Sequence, residues 1–207
     1  MKESLFPSLF NSLPSGEGWG RASSLDIHTH VLAGPNSICS LPPFKAIELS
    51  RSVLNQPYSI ELHPWYASQS LLEDFLKACE ICKEDPRFVA IGECGLDSLA
   101  ALGRNGLAPV PMEIQKDCFN HALATARELN KPAILHIVKA WEELFKMVDD
   151  SFPPLIIHGF RKNATFAKQL ISRGFYLSLG KNFDTNILKE IPEDRLFYET
   201  DSTAPER

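Results

Sequence analysis

No apolar run in the sequence approaches the ~20 residues that a membrane span requires, and no basic segment is followed by a continuous apolar core near the start. Neither a membrane-spanning protein nor a secretory signal is therefore expected. Cysteine is sparse and odd in number, five in 207 residues. That count gives no disulfide framework and fits a reducing cytoplasm. The one C-x-x-C pair, Cys79 and Cys82, has no second pair and falls within a stretch of helical period, which favours core packing over a zinc knuckle or a redox motif. An excess of positive charge is missing too. The formal net charge of −5 argues against tight coating of duplex DNA, although a cleft that holds one strand end needs no basic surface.

What is present is a pattern of ligand-type residues at the ends of short apolar runs. His28 and His30, one residue apart in DIHTH, close the first run, and alternating strand residues share a face. Glu93 in IGECGLD, His136 in AILHI, His158 in LIIHGF and Asp201 in FYETD each stand at the end of another. One buried histidine reads as a satisfied core residue. Six ligand-type residues in equivalent positions read as a divalent-metal hydrolase.

Eight strand candidates are short, apolar and bounded by turn residues: 25–30, 37–41, 58–62, 88–92, 133–137, 155–158, 175–179 and 196–199. Segments of helical period lie between most of them. Ser70 with Glu73 reads as a capping box ahead of the stripe Leu71, Leu72, Phe75, Leu76 and Cys79. A second helix is expected from Met112 to Leu129, stopping at Asn130 and Pro132; a third around Ala140 to Val148; and a fourth around Ala164 to Ile171, ending at Gly174. Such alternation predicts an α/β protein with a parallel sheet, and eight strands predict a (β/α)8 TIM-type barrel with its site at the C-terminal strand ends.

The chain is shorter than the ~250 residues typical of that barrel, so a trimmed version is expected. The shortening falls in the second unit, where only Phe44 to Leu54 separates two strands, and at the C-terminus, where little sequence follows Asp201 for an eighth helix. Residues 1–24, with LPSGEGWGRASS and no sustained period, read as a loosely ordered leader, and 25–207 as a single barrel domain.

At this level of detail the chain resembles the TatD-related metal-dependent hydrolases of the amidohydrolase superfamily. Asp26, His28 and His30 match the opening D-x-H-x-H of that family, ELHPWY resembles its glycine-x-His-Pro motif, and IGECGLD is nearly its signature. AILH, LIIHGF and ETD match the remaining metal-bearing strand ends. The resemblance implies two divalent ions, with His28, His30 and Asp201 on one, His136 and His158 on the second, and Glu93 contacting both. Four imidazoles and two carboxylates suit zinc, manganese, iron or nickel, whereas the resemblance implies magnesium or manganese. Asp201 is the expected general base and Glu93 its catalytic partner.

Around these ligands, Asp26 reads either as an orienter of a ligand histidine or as a deeper acceptor, and Asp97 as support for the Glu93 loop. Glu199 reads equally as a polar residue in the barrel interior or near its lower mouth and as a functional one, His121 as a helix-surface residue, and Cys94 as structural. His63, at the family's His-Pro position, is expected to contact substrate. Trp65 stands where the family often has a second histidine, either as an aromatic platform for a base or as a cap on the barrel mouth. Where relatives carry a polar pair with Arg after the fifth-strand histidine, this chain has Ile137, Val138 and Lys139; after Phe160, small residues give way to Arg161 and Lys162. Arg104 is a loose substitute for an Arg in the family's tail after GLD. Lys139, Arg161 and Lys162 are thus candidate phosphate contacts, against plain solvation.

The activity expected is hydrolysis of a phosphodiester at a nucleic-acid end, as in a deoxyribonuclease or exonuclease. Ester or amide hydrolysis and a weakly catalytic metal-binding protein are the alternatives. Neither a membrane nor an obligate protein partner is expected.

Overall fold

A computed structural model describes residues 25–104, 106–149 and 151–202. The expected leader over 1–24 and the expected truncation after 202 lie outside the described residues. Eight strands, β1 (Asp26–Thr29), β2 (Ser37–Leu41), β3 (Tyr58–Leu62), β4 (Phe88–Asp97), β5 (Ala133–Val138), β6 (Leu155–Ile157), β7 (Tyr176–Leu179) and β8 (Leu196–Tyr198), pair in parallel in chain order. Asp26 of β1 pairs with Tyr198 of β8, which closes the barrel.

Alternation along the strands divides two apolar layers. On β5, Ala133, Leu135 and Ile137 join the larger core that includes Leu72, Phe75, Phe119 and Leu123 of the covering helices. Ile134 instead clusters with Ile156 of the neighbouring β6 and with Ile38 of β2 and Phe197 of β8, strands that β5 meets only across the lumen. His136 shares the parity of Ile134, so it enters the lumen one step nearer the C-terminal mouth.

The main departure from the expected strands is β4, which runs on past Gly92 to Asp97. The expected strand stops at Gly92, before a loop that carries Glu93 and Gly95. In the fold the two glycines permit close approach: Gly95 has φ +147° and pairs with His136, and a Cβ there would lie 2.1 Å from the His136 carbonyl oxygen. The strand therefore continues, and its last residue, Asp97, reaches the mouth.

The helices are α1 (Pro43–Ser50), α2 (Gln69–Cys82), α3 (Ser98–Ala101), α4 (Met112–Glu128), α5 (Trp141–Met147), α6 (Ala164–Ser172) and α7 (Ile187–Glu190). The cap of α2 is Ser68, whose hydroxyl accepts from the Leu71 amide at 3.2 Å. The expected Ser70 cap is incorrect: Ser70 already lies within the first turn, while Ser68 has the extended backbone a cap requires. Helix α4 ends as expected, with Asn130 in the left-handed region at φ 49°. Helices α3 and α7, at four residues each, are too short for periodicity to reveal. All five cysteines are free and buried, Cys79 and Cys82 against the helix core.

Candidate metal centre

Glu93 is the hub of the site. It lies on β4 with 3% of its surface exposed, and imidazoles from five positions converge on its carboxylate. Oε1 lies 2.6 Å from His136 Nδ1, 2.7 Å from His158 Nε2 and 3.1 Å from His63 Nε2. Oε2 lies 3.2 Å from His28 Nε2 and 3.6 Å from His30 Nε2. Asp201 closes the opposite side, its Oδ1 3.8 Å from His28 and 3.7 Å from His30. All six residues expected as ligands from the sequence thus meet at the C-terminal mouth, and His63 stands among them.

The donor set fits a divalent cation. His28 is fully buried; its Nδ1 has no hydrogen-bond partner, and its Nε2 faces Glu93 Oε2 at 3.2 Å without hydrogen-bond geometry. A buried polar atom without a partner is costly, and a cation would satisfy it. Among the described residues, three groups have ligand atoms close enough to share an ion: His28, His30 and Glu93; His28, His158 and Asp201; and His63, Glu93 and His136. In the last group, His63 Nδ1 accepts from the Trp65 amide at 3.1 Å. A neutral ring that accepts at Nδ1 carries its proton at Nε2, so His63 presents a donor to Glu93 rather than a lone pair to a cation.

The surroundings fix these rings. Asp97, buried at the end of β4, accepts from Trp65 Nε1 at 2.6 Å and lies 3.3 Å from His136 Nε2. Its other oxygen caps α3 through the Leu99 and Ala100 amides at 2.7 and 3.1 Å. A carboxylate at Nε2 favours the tautomer whose Nδ1 lone pair faces Glu93. Glu199 does the same on β8's side: its Oε1 accepts from the Gly159 amide at 2.7 Å and lies 3.5 Å from His158 Nδ1. Asp26 orients no ring. It accepts from the Thr200 amide at 3.1 Å and hydroxyl at 2.6 Å, and so anchors the chain beside Asp201, whose φ of 47° is held further by its backbone N–H donating to the His28 carbonyl at 3.0 Å.

Charge follows from this packing. Burial raises the Glu93 pKa, but the imidazoles, His158 foremost, outweigh it and hold the carboxyl well below the usual range. Burial likewise disfavours charge on His158 and His136; Glu93 with Glu199, and Asp97 with Glu93, reverse the balance and raise both. For His30 and His63 burial prevails and lowers the pKa. Glu61 is pushed up to about 7 by burial and by the charge of Glu93.

Two contributors were not singled out by sequence reasoning. The Ser40 hydroxyl on β2 accepts from the Glu93 amide at 3.2 Å and donates to Glu61 Oε2 at 3.2 Å. Ser59 and Glu61 of β3 share parity with His63 just beyond its end, and that alternation was the available signal. The remaining expected contacts divide. Trp65 is half-buried, its ring edge-on to His63 at 4.9 Å between centroids. Lys139, at φ 51°, and Arg161 and Lys162 are exposed after β5 and β6. His121 lies exposed on α4, and Cys94 is wholly buried.

A closed eight-stranded parallel barrel with a histidine and carboxylate cluster at its C-terminal mouth defines the metal-hydrolase class of barrels. The family model described as TatD related DNase matches residues 44–207, and the chain belongs to that family. It is 33% identical over 153 residues to the uncharacterized metal-dependent hydrolase YabD of Bacillus subtilis, covering 69% of this chain and 57% of that protein. It is 29% identical over 195 residues to the 3'-5' ssDNA/RNA exonuclease TatD of Erwinia tasmaniensis, covering 88% and 71%. The crystal structure of YJJV, a TatD homolog from Escherichia coli, superposes with a TM-score of 0.64 at 21% identity, covering 80% of this chain and 66% of that one. The chain thus spans between 57% and 71% of the length of these curated relatives.

Proposed function

We propose that the protein is a divalent-metal-dependent phosphodiesterase that removes nucleotides from an end of single-stranded DNA or RNA. The observation that carries this reading is the convergence of His28, His30, His136, His158 and Asp201 around one buried carboxylate, Glu93, in a chain of the TatD family. These six residues would hold two ions, of zinc, manganese, magnesium, iron or nickel. Such ions supply an acidified water and polarise the phosphoryl oxygens.

The chain's own groups supply the rest. Asp201, at 38% side-chain exposure the most accessible carboxylate of the cluster, takes the proton of the attacking water. As oxygen bonds to phosphorus, the P–O bond on the far side breaks and the departing ester oxygen takes a proton from solvent. His63 Nε2–H, fixed as a donor by the Trp65 amide and 3.1 Å from Glu93 Oε1, is suited to share its proton with an oxygen of the phosphoryl group. Trp65 braces His63 and Asp97 together, and its remaining ring face is available to substrate. Lys139, Arg161 and Lys162 line the loops beyond the ligand strands and would hold the backbone phosphates that follow.

Among the described residues no helix is long and apolar enough to cross a membrane, and the five unpaired cysteines support a reducing compartment such as the cytoplasm. The test is release of mononucleotides from an end-labelled single strand by protein reloaded with one metal at a time. Metal-dependent shortening abolished by chelator is expected. Uptake of metal with hydrolysis of carboxylic esters or amides alone would transfer the site to acyl chemistry.

A further inference from the structure

Beside the metal centre, a cavity of about 570 Å³ shares His30 and Ser40 with it and is walled mainly by the end of β2, by α1 and by the segment after α1, through Leu41, Pro42, Phe44, Leu49 and Leu54. Its openness follows from the short second unit: an eight-residue helix is all that rises between β2 and β3 on this side. The volume lies within the range of about 300–1,000 Å³ typical of small-molecule sites. Phe44, Leu32 and Leu54, at 59%, 56% and 51% exposure, leave three large apolar side chains displayed around one cavity.

The cavity offers no net charge. The ammonium of Lys45 is bonded to Glu48 Oε2 at 3.2 Å, and burial pushes the Cys39 thiol up to about 12, so it stays neutral. Among the described lining residues, a second phosphate would meet no lysine or arginine but Lys45, already paired with Glu48 and 5.4 Å from the Phe44 ring centroid. A flat, neutral ring with apolar faces fits these walls.

We propose that this cavity receives the nucleobase of the nucleotide whose phosphodiester is held at the Glu93 centre, with Phe44 as its stacking surface; the inference rests on the function proposed above. Stacking on an aromatic ring is tolerant of base identity, so the class recognised is a terminal nucleotide of either purine or pyrimidine.

The experiment is calorimetric titration of manganese-loaded protein with deoxyadenosine 5'-monophosphate, with deoxyribose 5-phosphate and with inorganic phosphate. The nucleotide is expected to bind about tenfold more tightly than the baseless sugar phosphate. Phe44→Ala, a surface change that leaves the core intact, is expected to erase most of that difference without altering affinity for the other two. Equal binding of nucleotide and sugar phosphate by the wild type, or a preference undiminished in Phe44→Ala, would overturn the base site and leave the phosphodiesterase reading standing. Failure of all three to bind would remove both.

Discussion

Replacing Asp97 with asparagine tests how the centre is held without touching its ligand set. In the wild type one carboxylate serves four donors: Trp65 Nε1 at 2.6 Å, His136 Nε2 at 3.3 Å, and the Leu99 and Ala100 amides at 2.7 and 3.1 Å. Burial opposes its charge, yet bonds from His136, Trp65 and the two amides lower its pKa from 3.8 to about 2. At about 1.4 kcal/mol per tenfold in proton affinity, that fall corresponds to roughly 2 kcal/mol. A depressed carboxyl stabilises the fold above its unfolded value, and this stability is lost as pH falls from about 4 to about 2. Asparagine caps a helix as well as aspartate, so its oxygen is expected to stay on the α3 amides and its nitrogen to face Trp65. The indole donor then meets a donor, at a cost of about 1–3 kcal/mol. His136 can accept from the same nitrogen only by moving its proton to Nδ1, which turns an N–H toward Glu93. Metal affinity is therefore expected to fall about 10- to 100-fold, measured by calorimetric titration, alongside urea unfolding of chelator-treated protein. Trp65→Phe supplies the contrast: it removes the indole donor and keeps the charge, so stability falls while metal affinity holds. Unchanged metal affinity in Asp97→Asn would refute the tautomer argument.

Asp201→Asn is expected to keep the fold and lose nearly all turnover, with the loss in kcat rather than KM; near-normal turnover at saturating metal would exclude Asp201 as the base. Gly95→Ala should lower unfolding free energy by about 3 kcal/mol or more, because left-handed strain adds to a Cβ 2.1 Å from the His136 carbonyl; an unaltered urea midpoint would count against the close approach of β4 and β5. Arg161→Ala should weaken binding of a short single-stranded oligonucleotide and flatten its salt dependence with metal content intact. Equal affinities and slopes would leave Arg161 solvated and favour an acyl substrate.

The barrel and the ligand set were legible because both write themselves into sequence by position. Each of His28, Glu93, His136, His158 and Asp201 ends an apolar run, and strand ends are where a parallel barrel gathers its site. The supporting residues were less legible. Asp97 and Glu199 act through hydrogen bonds to rings on other strands, and nothing local distinguishes such a carboxylate from a polar residue in the lumen. Asp26 shows the limit of face arguments: parity allowed it to meet a histidine ring, but its partner is Thr200, which becomes its neighbour only when β8 closes on β1. The expected end of the fourth strand at Gly92 fell short for a related reason, since a glycine that ends a strand and one that admits a neighbouring backbone look alike in one dimension.

The most direct test of a centre built on Glu93 is the stoichiometry of manganese taken up by chelator-treated wild-type protein and by Glu93→Gln. The wild type is expected to bind two ions per chain, with proton release that increases toward low pH as the histidines must shed their protons. Glu93→Gln, which keeps every imidazole and removes only the shared charge, is expected to lose tight binding of both ions. Two ions bound with unchanged affinity in the variant would contradict the account.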